Sequence, residues 1–137
     1  MKLINAYLLI IVVICFTSCF ESSEIYFDVK TQSIISCNLK GIKQVYITND
    51  STADNFRKMF CDSSIDLPSQ VNLNKIESGY CVFKGWNNTQ IATTELRLDP
   101  LSHYTIERVQ GDASAYKIKV TTDVKGKIIQ ASKENCK

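Results

Sequence analysis

The chain of 137 residues is short of the residue types on which several common kinds of site depend. Its 5 glycines form no phosphate-cradling loop, and it has a single histidine, His103. One histidine and no cysteines at Cys-x-x-Cys spacing argue against a zinc site. With 16 Lys and Arg against 14 Asp and Glu, the chain lacks the concentrated positive charge of a nucleic-acid-binding protein. We therefore expect no metal, no other cofactor and no nucleic-acid partner.

The sequence also lacks a recognisable catalytic constellation. His103 has Ser102, Asp99 and Asp112 near it in sequence, but no nucleophile elbow accompanies them. The acidic residues are scattered over several segments, so their spacing pairs no two of them as the carboxylates of a glycosidase. We predict that the protein is not an enzyme, and a secreted hydrolase that uses His103 is the alternative.

What the sequence does contain is an export signal at residues 1–18. Lys2 supplies a positive start, residues 8–16 form an apolar run, and the small Thr17 and Ser18 follow it. The run is too short for a membrane-spanning helix, which requires ~20 apolar residues. We therefore expect residues 1–18 to be a signal peptide that is removed during export.

The segment Phe16-Thr17-Ser18-Cys19 resembles the lipobox of bacterial lipoproteins, with Phe16 at a first position that usually holds leucine. The resemblance implies that the thiol of Cys19 takes diacylglycerol, and that further acyl chains such as palmitate complete a membrane anchor. Several chains are needed, because one alone binds a membrane only marginally. The implied location is the cell envelope, where the lipid would anchor the protein to the outer membrane, in contact with the periplasm. A soluble secreted protein is the alternative.

The chain after the signal is long enough for one compact domain. Removal of residues 1–18 leaves 119 residues, which suits a single domain and is too few for two. Residues 19–24 are short and polar, so we expect a lipidated N-terminus and a tether there, followed by one β-rich domain over residues 25–137.

Four cysteines remain in that part of the chain: Cys37, Cys61, Cys81 and Cys136. An even number in an exported domain indicates two disulfides, which four cysteines can form with three connectivities. We favour Cys61–Cys81 together with Cys37–Cys136. The second bond would pin the C-terminal tail onto an early strand and close a long loop, which stabilises by ~3–5 kcal/mol in the chain-entropy model.

Alternation of apolar and polar residues predicts most of the chain to be strands. The expected strands cover residues 25–29, 33–39, 43–48, 75–86, 91–98, 104–109, 115–122 and 128–129. In the second of these, Ile35, Cys37 and Leu39 share a face that would point inward. In the third, Val45 and Ile47 lie opposite Tyr46.

The remaining segments are predicted to be a short helix and a long loop. The helix runs from about Thr52 to Cys61, because Phe56, Met59 and Phe60 fall at helical spacing after a weak capping box. The loop covers residues 62–74 and is a candidate contact surface.

A turn before the strand at residues 104–109 resembles the corner of fibronectin type III domains. The matching residues are Leu98, Pro100, Ser102 and Tyr104. The resemblance covers roughly residues 90–130 and implies a sandwich in which the Tyr104 hydroxyl bonds back to the nearby backbone. We therefore expect a mainly β fold, an antiparallel β-sandwich of the immunoglobulin and fibronectin III kind with one short helix. An α+β fold with the helix on one antiparallel sheet is the alternative.

Trp86, beside Asn87 and Asn88 and with Tyr80 and Phe83 nearby, is the main candidate binding surface. Flat aromatic surface next to amide side chains suits contact with a sugar or a protein, whereas core packing is the alternative role. Pro68 and Ser69 in the long loop are further candidates.

These features indicate a small non-enzymatic binding module, anchored to the membrane through its lipid and able to bind a protein partner. An inhibitor of, or immunity protein against, an envelope-attacking protein is the sharper form of this hypothesis. A secreted hydrolase and a soluble secreted adhesion-type domain are the alternatives.

Overall fold

A computed structural model describes residues 22–52, 56–61, 67–111 and 115–136 of the chain. Within these ranges the chain forms ten strands: β1 (Ile25–Asp28), β2 (Ser33–Ser36), β3 (Gln44–Asn49), β4 (Phe56–Cys61), β5 (Gln70–Asn72), β6 (Tyr80–Lys84), β7 (Thr89–Ile91), β8 (His103–Arg108), β9 (Tyr116–Thr122) and β10 (Ile128–Ala131). The expectation of a mainly β protein is confirmed.

The strands form two antiparallel sheets. The small sheet has the order β1-β2-β5, and the large sheet has the order β10-β9-β8-β3-β4-β6-β7. One apolar core joins them. The large sheet contributes Val45, Ile47, Met59, Val82, Ile106, Ile118, Val120 and Ile128, and the small sheet contributes Ile25, Phe27, Ile34 and Val71. Period-two alternation therefore gives the large sheet a buried inner face and an outer face turned away from the core.

The segment predicted to be a helix is strand β4, and the described residues contain no helix. Both neighbours of β4 pair with it along its length, since Met59 lies opposite Val45 on β3 and Val82 on β6. The apolar residues that fit a helical spacing are split between two faces: Met59 points into the core, and Phe56 and Phe60 lie on the outer face. The sheet thus overrides a weak local helical pattern. Asp54, which with Ser51 makes up the predicted capping box, lies outside the described residues.

Strand β2 shows a second correction to the predicted pattern. Ile34 and Ser36 are fully buried, whereas Ile35 is only partly buried, so the inward face is the opposite of the predicted one. The strand ends at Ser36, and Leu39 is 80% exposed in the turn beyond it. In the predicted loop, β5 pairs with β2, while residues 62–66 lie outside the described ranges.

A single disulfide, between Cys37 and Cys136, closes the described part of the chain, with the two Cα atoms 5.5 Å apart. It is the bond that the sequence favoured for the tail. The residues before Cys136 run alongside both sheets: Ser132 N–H donates to Lys119 O at 2.8 Å, and Phe27 N–H donates to Lys133 O at 3.0 Å. Lys133 also forms an ion pair with Glu24. The tail therefore joins the large sheet to the edge of the small one.

The second predicted disulfide is absent, because Cys61 and Cys81 are free thiols. Their strands are neighbours, but Cys61 lies opposite Tyr80, and Cys81 lies opposite Phe60. This offset of one residue puts the two side chains on opposite faces of the sheet. Cys61 is buried in the core and Cys81 is half-buried on the outer face. Adjacent strands alone therefore do not bring the two sulfur atoms together.

Two buried polar side chains connect the sheets. The Arg108 guanidinium, fully buried, donates to Ser36 Oγ at 2.7 Å and to Gly41 O at 3.2 Å. The side chain of Gln32 donates to Ile128 O at 2.8 Å, and its Oε1 accepts from Ile128 N–H at 3.1 Å. Because a buried polar group left unpaired is costly, these contacts fix how the sheets meet.

The corner before β8 has the hydrogen bond that the fibronectin-like pattern implies. The Tyr104 hydroxyl, on a side chain 1% exposed, accepts from Asp99 N–H at 2.8 Å. The carbonyl of Asp99 in turn accepts from Thr122 Oγ1 at 2.7 Å. Gly126, with a φ of +77°, passes so close to Leu98 O that an added Cβ would lie 2.2 Å from it. The corner therefore fastens the segment that follows β7 to strands β8 and β9.

Strand β3 defines two ends of the domain, separated by about 17 Å over its length. At the disulfide end, Gln44 pairs with Phe60, and the turn after Cys37 lies close by, since Gly41 O accepts from Arg108. At the corner end, Asn49 pairs with Tyr104.

Candidate functional site

Aromatic side chains line the outer face of the large sheet. Tyr46 and Phe83 flank Lys58 from the strands on either side of it, and Phe56 and Phe60 lie two residues from Lys58 along β4. In every strand, successive side chains point to opposite faces. We call the resulting surface the aromatic face; it consists of Tyr46, Phe56, Phe60, Phe83 and Trp86.

Three of these rings form a stack at the corner end. Trp86 lies on Phe56 with ring centroids 4.8 Å apart and planes 6° from parallel, and Phe56 lies on Tyr46 at 5.2 Å and 27°. Phe56 is only 6% exposed although it points away from the core, whereas Trp86 is 69% exposed. The stack therefore holds a large open indole on a rigid base.

Two lysines add positive charge to the aromatic face. Lys58 Nζ lies 5.5 Å from the centroid of Phe60 and 5.6 Å from that of Phe83, and Lys43 Nζ lies 5.6 Å from Phe60. All three distances are within the range of cation–π attraction, which holds the ammonium groups over the rings. The aromatic face thus combines apolar surface with fixed cations.

The turn that presents Trp86, between β6 and β7, contains residue types that tolerate the backbone conformation of a tight turn. Gly85 and Asn88 have φ values of +69° and +52°, a region that glycine and asparagine tolerate best. Gly85 N–H donates to Phe56 O at 3.0 Å, which fastens the turn to β4. Asn87 and Asn88 are both exposed beside the indole. Core packing is therefore not the role of Trp86.

The other predicted site residues lie elsewhere. Tyr80 points into the core, where its hydroxyl donates to Ile42 O, and burial raises the pKa of Tyr80 far above its usual value. The carbonyls of Pro68 and Ser69 accept from the backbone N–H groups of Ile42 and Ser36, each at 2.9 Å. These two residues join the sheets at the disulfide end, whereas Trp86 lies at the corner end.

The sequence patterns do not predict most of the aromatic face. Helical spacing predicts a helix for Phe56 and Phe60, and alternation places Tyr46 only as the residue opposite a buried pair. The signal that could have found them is the alternation Phe56-Lys58-Phe60, which repeats the outer-face spacing of a strand.

His103 is exposed at the start of β8, with Nδ1 3.1 Å from Thr121 Oγ1. Its two sequence neighbours from the hydrolase alternative are engaged in the corner: Ser102 Oγ donates to Pro100 O at 2.9 Å, and the Asp99 carboxylate accepts from the Asn49 amide at 3.2 Å. Asp112 lies outside the described residues. Among the residues that the structure describes, no group of three His, Cys, Asp or Glu side chains could hold a metal ion.

Comparisons with models of protein families, with curated proteins and with solved structures each returned no match. In the described part of the chain, no helix is long and apolar enough to cross a membrane.

Proposed function

We propose that this protein is a binding module of the cell envelope, exported by residues 1–18, held on a membrane by lipid on Cys19, and bound to a protein partner through the aromatic face. The lipobox-like segment before Cys19 supports the anchor. A disulfide between Cys37 and Cys136 suits an oxidising compartment outside the cytosol. We also propose that the two sheets form a sandwich of the fibronectin type III kind, which the Tyr104 corner supports.

The observation that carries the binding proposal is the exposure of Trp86 on a stacked support. Trp and Tyr are among the residues that supply most of the binding energy at protein interfaces. Because Phe56 already holds the indole in place, Trp86 would lose little conformational freedom when a partner covers it. An exposed tryptophan that is already ordered is therefore well suited to be the centre of an interface.

The charges on the aromatic face indicate the chemistry of the partner. Lys43 and Lys58 lie over phenylalanine rings, and a complementary surface would place carboxylates around an apolar pocket for the indole. An inhibitor that blocks an envelope-attacking enzyme or toxin would use such a rigid, preformed surface. We therefore expect an acidic protein partner of this kind.

The test compares two variants that each remove one exposed apolar side chain. Immobilised wild-type protein, Trp86→Ala and Leu101→Ala are incubated with envelope extracts and with secretions of competing cells, and retained proteins are identified by mass spectrometry. We expect one partner that the wild type and Leu101→Ala retain and that Trp86→Ala loses. Retention of the same proteins by all three would contradict a binding site at Trp86.

A challenge experiment addresses the inhibitor hypothesis separately. Cells with the wild-type protein, and cells with Trp86→Ala at equal abundance, are exposed to lysozyme and to the toxins of competing cells. Survival that depends on Trp86 is the expected result, whereas equal survival of both would remove inhibition while leaving partner binding to be judged by the capture experiment.

A further inference from the structure

Two leucines of the described residues are exposed in an unfavourable backbone conformation. Leu39 is 80% exposed with a φ of +59°, and Leu101 is 72% exposed with a φ of +50°. In the left-handed region an asparagine or glycine would be less strained, and a polar side chain would be better hydrated. Folding therefore does not explain a leucine at either position. Leu39 is the candidate for contact with something outside the domain, because its turn is also fastened to the segment that follows Cys19.

The surroundings of Leu39 indicate what it meets. The side chain of Asn38 donates to Ser22 O at 2.7 Å, and Cys37 N–H donates to Glu24 O at 3.0 Å. The first described residues are thus fastened to the turn that carries Leu39. Ser22 is only three residues after Cys19 in the sequence, a span of at most about 11 Å for a fully extended chain. A lipid on Cys19 would consequently hold this turn close to the membrane surface.

We propose that the Leu39 turn, residues 38–40, lies against the membrane that holds the lipid of Cys19. This inference rests on the proposed lipid anchor. Leu39 enters the boundary between headgroups and acyl chains, where an exposed apolar side chain is favourable. Lys40, exposed in the same turn, places positive charge near anionic headgroups.

The proposal fixes the orientation of the domain. The Leu39 turn belongs to the disulfide end, and the stack of Trp86 on Phe56 belongs to the corner end, about 17 Å away along β3. With the turn on the membrane, Trp86 lies at the end of the domain away from the lipid and is open to a partner. Leu101, next to the corner, is also at the membrane-distal end and serves as a matched control for Leu39.

The experiment uses the full acylated chain on vesicles of phosphatidylethanolamine and phosphatidylglycerol with brominated acyl chains, which quench nearby indoles. Leu39→Trp and Leu101→Trp are each made in a Trp86→Phe background, and acylation of every sample is verified by mass. We expect L39W to lose most of its fluorescence and shift to shorter wavelength on the brominated vesicles. The L101W variant, and the wild-type protein with its own Trp86, should keep their emission.

The outcomes separate the orientation from the anchor. Acylated protein in which L39W remains unquenched, or in which L101W is quenched as strongly, overturns the proposed orientation alone. Absence of any acylated species overturns the lipid anchor and the orientation that depends on it. The wild-type measurement needs no substitution, so a quenched Trp86 in acylated protein contradicts the orientation even if a variant fails to fold.

Discussion

The two faces of the large sheet are built from the same strands but from different residue types. On β3, Val45 and Ile47 are fully buried on the inner face, whereas Tyr46 between them is half-buried on the outer face. On β4, Met59 fills the core while Lys58 lies over aromatic rings on the other side. Aliphatic side chains pack one face of the sheet into the core, whereas the aromatic rings and lysines of the other face form the surface that we propose for binding.

The largest effect is expected from the bond that holds the small sheet over the inner face. Replacing both Cys37 and Cys136 by alanine should lower the free energy of unfolding by about 4–5 kcal/mol, because the bond spans 99 positions of the chain. Urea unfolding of the purified domain measures this loss. A change below about 1 kcal/mol would mean that the tail is held by its other contacts, and that the inner face does not depend on the disulfide.

Neighbouring residues on β3 give a direct test of the difference between the faces. Ile47→Ala should cost about 2–5 kcal/mol of unfolding free energy, since it leaves a cavity in the core. Tyr46→Ala removes a half-buried ring stacked on Phe56 and should cost less, about 1–2 kcal/mol, because it leaves no cavity in the core. Equal costs for the two, measured by the same urea titration, would contradict the assignment of one face to folding and the other to binding.

Removing the hydroxyl of one tyrosine on each face also compares the two faces, with a smaller expected change in the free energy of unfolding. Tyr104→Phe leaves the part-buried Asp99 N–H without its acceptor and should cost about 1 kcal/mol. Tyr46→Phe, where the hydroxyl accepts from the Gln44 amide near solvent, should change the free energy of unfolding by less than about 0.5 kcal/mol. Thermal melts would record the difference, and a larger loss for Tyr46→Phe would reverse the roles assigned to the two faces.

The sequence predicted the parts of this fold that depend on local alternation. Alternation predicts Val45 and Ile47 opposite Tyr46, and it predicts strand β9. The Tyr104 hydrogen bond is instead what the resemblance of the corner to fibronectin type III domains implies, and its residues are also close together in the chain. The strand β4 could not be distinguished from a helix, because its apolar residues fit both periods and only pairing with β3 and β6 decides between them.

The candidate site was also predictable only in part, because it depends on pairing between strands that are distant in the sequence. Trp86 with its two asparagines was identified from the turn, but Phe56, which supports it, comes from a different strand. The register of β4 against β6 is likewise a long-range property, and it separates Cys61 from Cys81. A shift of one residue would have placed both cysteines on one face.

Those two cysteines provide the most direct test of the two-faced sheet, because each labels one face. Native protein is treated briefly with a thiol-alkylating reagent, then unfolded without reduction and treated with a second reagent of different mass, and the modified peptides are mapped. Cys81, half-buried on the outer face, should take the first reagent, and Cys61, 3% exposed in the core, should take only the second. Cys37 and Cys136 should take neither. Recovery of Cys61 and Cys81 joined in a disulfide, or equal labelling of both in the native protein, would contradict the separation of the two faces.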